Sequence, residues 1–372
     1  MVEPLLGGIS PRHFLRDYWQ KKPLLVRQAI PEFRGVISRD QAFSLACDFD
    51  AESRLVWRAA SGWQMRHGPF KAKDFRRRGP WTVLVQGLNL LDDAADALLH
   101  RFDFVPWARL DDLMVSYATD GGGVGPHFDS YDVFLIQGMG RRRWQIGAQR
   151  DLEIIEGAPL RILKHFQIEQ EWVLEPGDML YLPPSYAHNG IAEGECMTYS
   201  VGFRAPAAQE VATQFLVHLQ DRLQMAGRYC DPGLALPRHP GEIGSDMVDQ
   251  VGDIIDRIAW NRQGVRDFLG CYLTEPKSHV FFDPPDPPLG HKAFAACVAK
   301  GGIRLHRKSQ LLFADKSFYL NGEVIEVPRS DRATVRELAD RRRLPALADP
   351  GVTALAMFYD WYCDGFIVPG GR

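Results

Sequence analysis

The chain has 372 residues, 45% of them hydrophobic and 24% charged, with a net charge of −3. This describes an ordinary globular protein of two to three domains and excludes a disordered or strongly basic chain that binds nucleic acid or membrane through its total charge, although local patches remain open. The six cysteines include no C-x-x-C pair, which argues against a zinc ribbon or a disulfide framework, and no apolar run approaches the length of a membrane span, so a reducing cytoplasm is expected.

In chain order, Ser10-Pro11 reads as the cap and first residue of a helix over His13 to Gln20, and Leu24-Leu25-Val26 follows Pro23 as a strand. From about Leu55 to Arg204 short apolar runs alternate with Gly, Pro and Asp: TVLVQG, LMVSYA, DVFLIQG, RRRWQIG, EWVLEPGDMLYLPP and MTYSVGF. That pattern predicts an all-β barrel or sandwich. Helical periodicity takes over after Pro206, with Val211, Phe215, Leu216, Leu219 and Leu223 on one face of residues 207–227. Residues 246–272 repeat it with Met247, Val251, Ile254, Ile255 and Ile258, and both apolar stripes need a partner. Asp283-Pro284-Pro285-Asp286-Pro287-Pro288 reads as a stiff linker. Beyond it are expected a helix over His291 to Ala299, strands at Leu311 to Phe313 and Ser317 to Val327 with an Asn321-Gly322 turn, and helices from Thr334 and Val352, a pattern that suits a winged helix.

The chemistry concentrates in GGGVGPHFDSYD, residues 121–132, and in LEPGDMLYLPPSYAHNG. An H-x-D pair on a strand sets His127 and Asp129 side by side on one face, because side chains alternate between faces. Taken alone, such a pair is a weak signal. Its setting strengthens it: a glycine-rich approach, Pro126 just before, the run Val133 to Ile136 just after, and His188 on a loop stiffened by Pro183 and Pro184. Two imidazoles and a carboxylate on one side of an octahedral ion leave three positions open, the arrangement of non-haem Fe(II) oxygenases. A 2-oxoglutarate chelate and O2 would fill them, and the distal carboxylate of 2-oxoglutarate would need a cation. Arg142 is the candidate. In Arg141-Arg142-Arg143-Trp144 only one parity faces inward, and Trp144 is better explained inward, which brings Arg142 with it. The competing reading makes all three arginines a solvated or RNA-facing edge.

These residues resemble the JmjC-type cupin oxygenases, in particular the bacterial ribosomal oxygenases that hydroxylate an arginine of ribosomal protein uL16. The strings GGGVGPHFDSYDVFLIQGMGRRRWQIG, LEPGDMLYLPPSYAHNG and YSVGFRAP carry the resemblance, and FLRDYWQKKPLLVRQA extends it toward the N-terminus. It implies a mainly-β fold with helices: a double-stranded β-helix of the JmjC/cupin jelly-roll type over 1–206, a helical dimerisation region over 207–282 and a winged-helix-like domain over 283–372. By position it implies His127, Asp129 and His188 as Fe(II) ligands, Arg142 as the 2-oxoglutarate anchor and Ser116 as its helper, in a cytoplasmic homodimer whose substrate is uL16. An arginine substrate calls for carboxylates or aromatic faces near the ligands, and Asp120, Tyr131 and Asp132 are nearest in sequence; turn capping or core hydrogen bonding is the other reading of these three. Histidyl hydroxylation or demethylation of another ribosomal protein uses the same core, and a non-catalytic assembly factor keeps the barrel without the reaction. Asp315, Glu323, Glu326, Asp331 and Asp340 interrupt any basic stripe on the C-terminal domain, so nucleic-acid binding there is not expected.

Overall fold

The computed structural model describes residues 4–347 and 352–370. They form two compact units: the first runs to Ala205 and includes Ser278–Asp283 and His306–Lys308, and the second comprises Pro206–Lys277, Pro284–Leu305 and the chain from Ser309 onward.

The first unit opens with helix α1 (Pro11–Asp17), capped by Ser10, whose Oγ accepts from the His13 N–H at 3.2 Å. Strand β1 (Leu24–Val26) and helix α2 (Arg39–Ala46) follow, the latter closed by a Ser38/Gln41 capping box. The barrel strands are β2 (Ser53–Ala59), β3 (Gly62–His67), β4 (Trp81–Val85), then, after helices α3 (Leu88–Leu91) and α4 (Asp93–Leu99), β5 (Leu110–Ala118), β6 (Val133–Gly147), β7 (Gln170–Leu174), β8 (Met179–Leu182) and β9 (Ala187–Phe203). Every pairing among them is antiparallel, in the order β1-β8-β6-β9-β5-β4-β2-β3, with β7 on the second half of β6.

Two expected strands prove to be one. DVFLIQG and RRRWQIG join into β6, which pairs with β8 through Val133–Ile136 and with β7 through Arg142–Ile146. The interruption read from the sequence at Gly138-Met139-Gly140 is a double register shift against β9. Gly140 sits at φ 62°, and a Cβ there would lie 2.0 Å from the Glu195 carbonyl oxygen, so this bulge needs glycine. The bend lets one strand serve both halves of the barrel.

β6 also explains why its apolar run does not alternate. Phe134 and Ile136 point into a core shared with α1, α2 and α4, whereas Val133 and Leu135 pack with Trp144, Leu174 and Leu182 on the opposite face. Phe134 is fully buried, with the rings of Phe102 and Tyr181 each 4.8 Å away. Burying such a ring contributes roughly 1.5–3 kcal/mol, and this layer fixes the barrel wall that carries the site.

In the second unit, α5 (Ala208–Gln220), α6 (Ser245–Ile255) and α7 (Arg262–Thr274) precede α8 (His291–Gly301). The periodic stretch 246–272 is therefore two helices, separated before Asn261, whose side chain accepts from the Gly264 N–H and starts α7. Two three-stranded sheets follow: β10 (Ile303–Leu305) lies between β14 (Arg343–Leu344) and β15 (Ile367–Pro369), and β11 (Leu311–Ala314), β12 (Ser317–Leu320) and β13 (Glu323–Ile325) form a meander. Asn321 (φ 50°) and Gly322 (φ 94°) make the turn between β12 and β13, as Asn-Gly predicts. Helices α9 (Arg332–Arg341) and α10 (Val352–Cys363) complete the unit, around a core including Phe294, Phe318 and Phe358.

Candidate metal centre and its cavity

The H-x-D segment is not a regular strand. Gly125 and Pro126 deliver the chain to a single antiparallel bridge in which His127 and His188 face each other. The His127 N–H donates to the His188 carbonyl at 2.9 Å, and the His188 N–H donates back at 2.8 Å. His188 is thus the second residue of β9, not part of a loop. Beyond the bridge the chain turns away, and the Asp129 carbonyl accepts from the Ser185 N–H at 2.7 Å, which ties the Pro183-Pro184 turn to the carboxylate's own backbone.

Both imidazoles are oriented by their own loops. His127 Nδ1 lies 2.9 Å from the Gly125 carbonyl oxygen, and His188 Nδ1 lies 2.9 Å from that of Tyr186. A carbonyl oxygen only accepts, so each Nδ1 carries the proton and each Nε2 keeps a lone pair. The Nε2 of His188 is 3.6 Å from Asp129 Oδ2, and the donor atoms of His127, Asp129 and His188 all lie within 4.8 Å of one another. Burial, with the His127 ring adding to it, holds the His188 pKa down at about 4, so this imidazole is neutral at physiological pH. Two imidazole nitrogens and one carboxylate oxygen converging from one side fit a divalent iron ion.

The three face a cavity of about 390 Å³ lined by residues of β6, β9, β5, β4 and β2, five consecutive strands of the sheet that curl around it. Deep in its wall is Arg142, 5% exposed. Its Nη1 donates to Ser116 Oγ at 3.3 Å, and its guanidinium lies 5.6 Å from the Trp144 ring. Its Nε and Nη2 are buried without a hydrogen-bond partner among the described residues. A buried cation with unmet donors is costly unless an anion completes it, so this observation tests whether an acidic co-substrate fits, and it does. Arg141 and Arg143 face the other way and are neutralised by Glu171 and Glu193.

Of Asp120, Tyr131 and Asp132, the cavity receives Tyr131. Asp120 is exposed and caps a turn by accepting from the Gly194 N–H at 2.7 Å. Asp132 is fully buried in the core, accepting from the Tyr181 hydroxyl at 2.6 Å and from Gln20 Nε2 at 2.9 Å, with Arg109 at 3.5 Å. Alternation separates it from Tyr131. Asp132→Ala is expected to lower the unfolding free energy by about 3 kcal/mol, because it strands the buried Tyr181 hydroxyl and removes the acceptor that Gln20 and Arg109 share, with turnover per folded molecule retained. Denaturant unfolding alongside kcat checks this; lost turnover at native stability would return Asp132 to the site. Two cavity carboxylates escaped the sequence reading, Asp111 and Asp112 on β5, although acids in an apolar strand are a signal in their own right. Burial first, then the carboxylates of Asp129, Asp112 and Asp111, push the Tyr131 hydroxyl above its usual range, so this end of the cavity is electronegative.

The barrel, the converging triad and the charged cavity wall define a class. A JmjC domain family model matches residues 97–211, and a ROXA-like winged helix model matches residues 257–367. The mainly-β architecture with a C-terminal winged helix expected from the sequence is therefore the one found. The chain belongs to the ribosomal protein uL16 3-hydroxylase family: it is 33% identical to the Escherichia coli K12 protein of that name over 353 residues, covering 92% of this chain and 93% of the relative. An X-ray structure of E. coli ycfD superposes with a TM-score of 0.84 at 32% identity, covering 97% of this chain and 98% of that one. A structure described as YcfD, a ribosomal oxygenase from E. coli, in complex with cobalt and 2-oxoglutarate gives 0.81 at 32% identity, with the same coverage.

Proposed function

We propose that the protein is an Fe(II)- and 2-oxoglutarate-dependent dioxygenase that hydroxylates an arginine side chain of ribosomal protein uL16. The observation that carries this reading is the pairing, in one cavity, of the His127/Asp129/His188 donors with a buried Arg142 whose Nε and Nη2 have no hydrogen-bond partner among the described residues. The family, and a relative solved with cobalt and 2-oxoglutarate, support it. When bound, Fe(II), 2-oxoglutarate and O2 supply the oxidation, with 2-oxoglutarate leaving as succinate and CO2 and one oxygen atom entering a C–H bond.

The chain's own residues position and exclude. His127, Asp129 and His188 hold the metal, their rings fixed by the carbonyls of Gly125 and Tyr186. Arg142, steadied by Ser116, takes the distal carboxylate of 2-oxoglutarate through its free N–H groups. At the other end, Asp111, Asp112 and Tyr131 offer acidic and aromatic partners, which suit a guanidinium better than an imidazole and favour arginine over histidine as the target. Holding the substrate in one pose beside the metal is the protein's contribution to rate. Incubating uL16 with the protein, Fe(II), ascorbate and 2-oxoglutarate should add one oxygen to an arginine, read by peptide mass spectrometry. A modified histidine, or 2-oxoglutarate consumption with uL16 untouched, would move the substrate elsewhere, and no consumption at all would leave a binding factor.

Residues 1–206 serve as the catalytic barrel, 207–282 as a dimerisation region and 283–372 as the winged-helix portion of a homodimer. No residue of α5 or α6 is buried, and Leu216 (64%), Val248 (57%), Ile255 (56%) and Trp260 (58%) are exposed, an apolar surface that a second copy would cover. Sedimentation at micromolar concentration should give twice the chain mass, and Leu216→Asp with Ile255→Asp should give the monomer; a wild-type monomer would overturn this. Among the described residues no helix is long and apolar enough to cross a membrane. A ribosomal-protein substrate is what supports a cytoplasmic location for the enzyme.

A further inference from the structure

Trp144 stands two residues beyond Arg142 on β6, and alternation turns both side chains toward the metal-centre cavity, which both line. The indole is 5% exposed, and its Nε1 is buried without a hydrogen-bond partner among the described residues. Thr82, on β4, lines the same cavity, and its Oγ1 is also buried without one. The two are not equivalent. A threonine hydroxyl rotates and either donates or accepts, whereas an indole N–H only donates, in a direction the ring fixes. A buried tryptophan ordinarily finds an acceptor for that proton, so a cavity-lining N–H with none points to what the cavity receives.

Packing leaves the ring little freedom to seek an acceptor elsewhere. Val133, Leu135, Leu174 and Leu182 share its apolar cluster and offer no side-chain acceptor. Its register partner on β9 is Gly190, two residues beyond His188, where a Cβ would lie 2.7 Å from Cη2, 2.8 Å from Cζ3 and 3.1 Å from Cε3 of the indole. The six-membered ring is thus seated against bare backbone, and Nε1 belongs to the other ring. The indole also flanks both ends of the site, since it lies 5.9 Å from the His188 ring and 5.6 Å from the Arg142 guanidinium. A molecule that reaches from the triad to Arg142 runs beside it. An arginine side chain entering from the acidic end brings only donors, whereas 2-oxoglutarate brings two carboxylates, which only accept. We propose that Trp144 is a further co-substrate-binding residue, its indole N–H donating to a carboxylate oxygen of 2-oxoglutarate. This rests on the hydroxylase reading and adds to the Arg142 anchor a second donor, on a neutral side chain whose direction the barrel wall fixes.

Site-specific replacement of Trp144 by benzothienylalanine tests this, because it keeps the bicyclic shape and exchanges the N–H for sulfur. The Kd and KM for 2-oxoglutarate should rise roughly 10- to 100-fold, the range of one hydrogen bond to a charged group, with a smaller change in kcat. The Tm without 2-oxoglutarate should stay near that of the wild type, since no protein partner is lost. A second measurement needs only the wild-type protein, with Zn(II) in place of iron. In its proton–nitrogen correlation spectrum the Trp144 indole signal, identified by its loss in Trp144→Phe or in the benzothienylalanine protein, should move downfield on adding 2-oxoglutarate and exchange more slowly with solvent. Wild-type affinity in the benzothienylalanine protein, or an indole signal that stays in place while 2-oxoglutarate raises the Tm, would overturn the proposal and leave the hydroxylase reading standing; the N–H would then serve cavity water alone. Failure of 2-oxoglutarate to bind the metal-loaded wild type would overturn that reading and this inference together.

Discussion

Asp129→Ala is expected to abolish turnover together with Fe(II) binding, and His127→Ala and His188→Ala to do the same. Each variant leaves two of the three donors that converge within 4.8 Å. Changing groups that merely orient a ligand typically costs 10–100-fold in metal affinity or activity, so removing a ligand should cost more than about 100-fold. The folding control is built into the bridge, whose hydrogen bonds between His127 and His188 are made by the backbone and survive loss of either ring. Asp129 likewise holds Ser185 through its carbonyl, so Asp129→Ala should keep the turn in place. A spectroscopic titration of Co(II) as the iron substitute, run beside kcat and thermal melts, separates the outcomes. Lost metal binding at native stability supports the assignment, and wild-type turnover in any one of the three variants overturns it.

The triad could be read from the sequence because its information is local: two residues of metal-binding type at a spacing of two, and a third held by a proline pair. What surrounds it is set by tertiary contacts that periodicity does not encode. A strand buried on both faces loses its alternation, and for that reason the first half of β6, with Phe134 facing one core and Leu135 the other, reads as a continuous apolar strand whose faces the sequence does not distinguish. The bulge at Gly140 then splits the run in two. Nearness in sequence also misleads about nearness in space. Asp132 adjoins Tyr131 and is directed into the core under Tyr181, whereas Asp112, fifteen residues before His127, lines the cavity, because β5 and β9 are neighbours in the sheet and β9 carries His188. Likewise the apolar period of 246–272 runs on through a break at Asn261 that only its cap reveals.

Arg142→Ala should raise the KM for 2-oxoglutarate roughly 100-fold or more while leaving the protein folded. A guanidinium offering a fork to a carboxylate in a buried cavity makes two charge-assisted hydrogen bonds, each worth about 1.5–3 kcal/mol, and about 2.7 kcal/mol in total already corresponds to 100-fold. The effect on stability should run the opposite way. Arg142 is buried with Nε and Nη2 unmet and, among the described residues, only Ser116 as a hydrogen-bond partner, so in the absence of 2-oxoglutarate its charge is a liability to the fold, and alanine should match or exceed the wild-type Tm. Adding 2-oxoglutarate and metal should then reverse the order. At about 100 times its Kd the ligand stabilises the wild type by about 2.7 kcal/mol, and at that same concentration the variant should gain little. Arg142→Lys keeps the charge without the fork and should fall between the two. This crossing of the melts distinguishes an anchor from a structural arginine: if Arg142 served to brace Ser116 and Trp144, Arg142→Ala would lower the Tm with or without 2-oxoglutarate and leave KM unmoved.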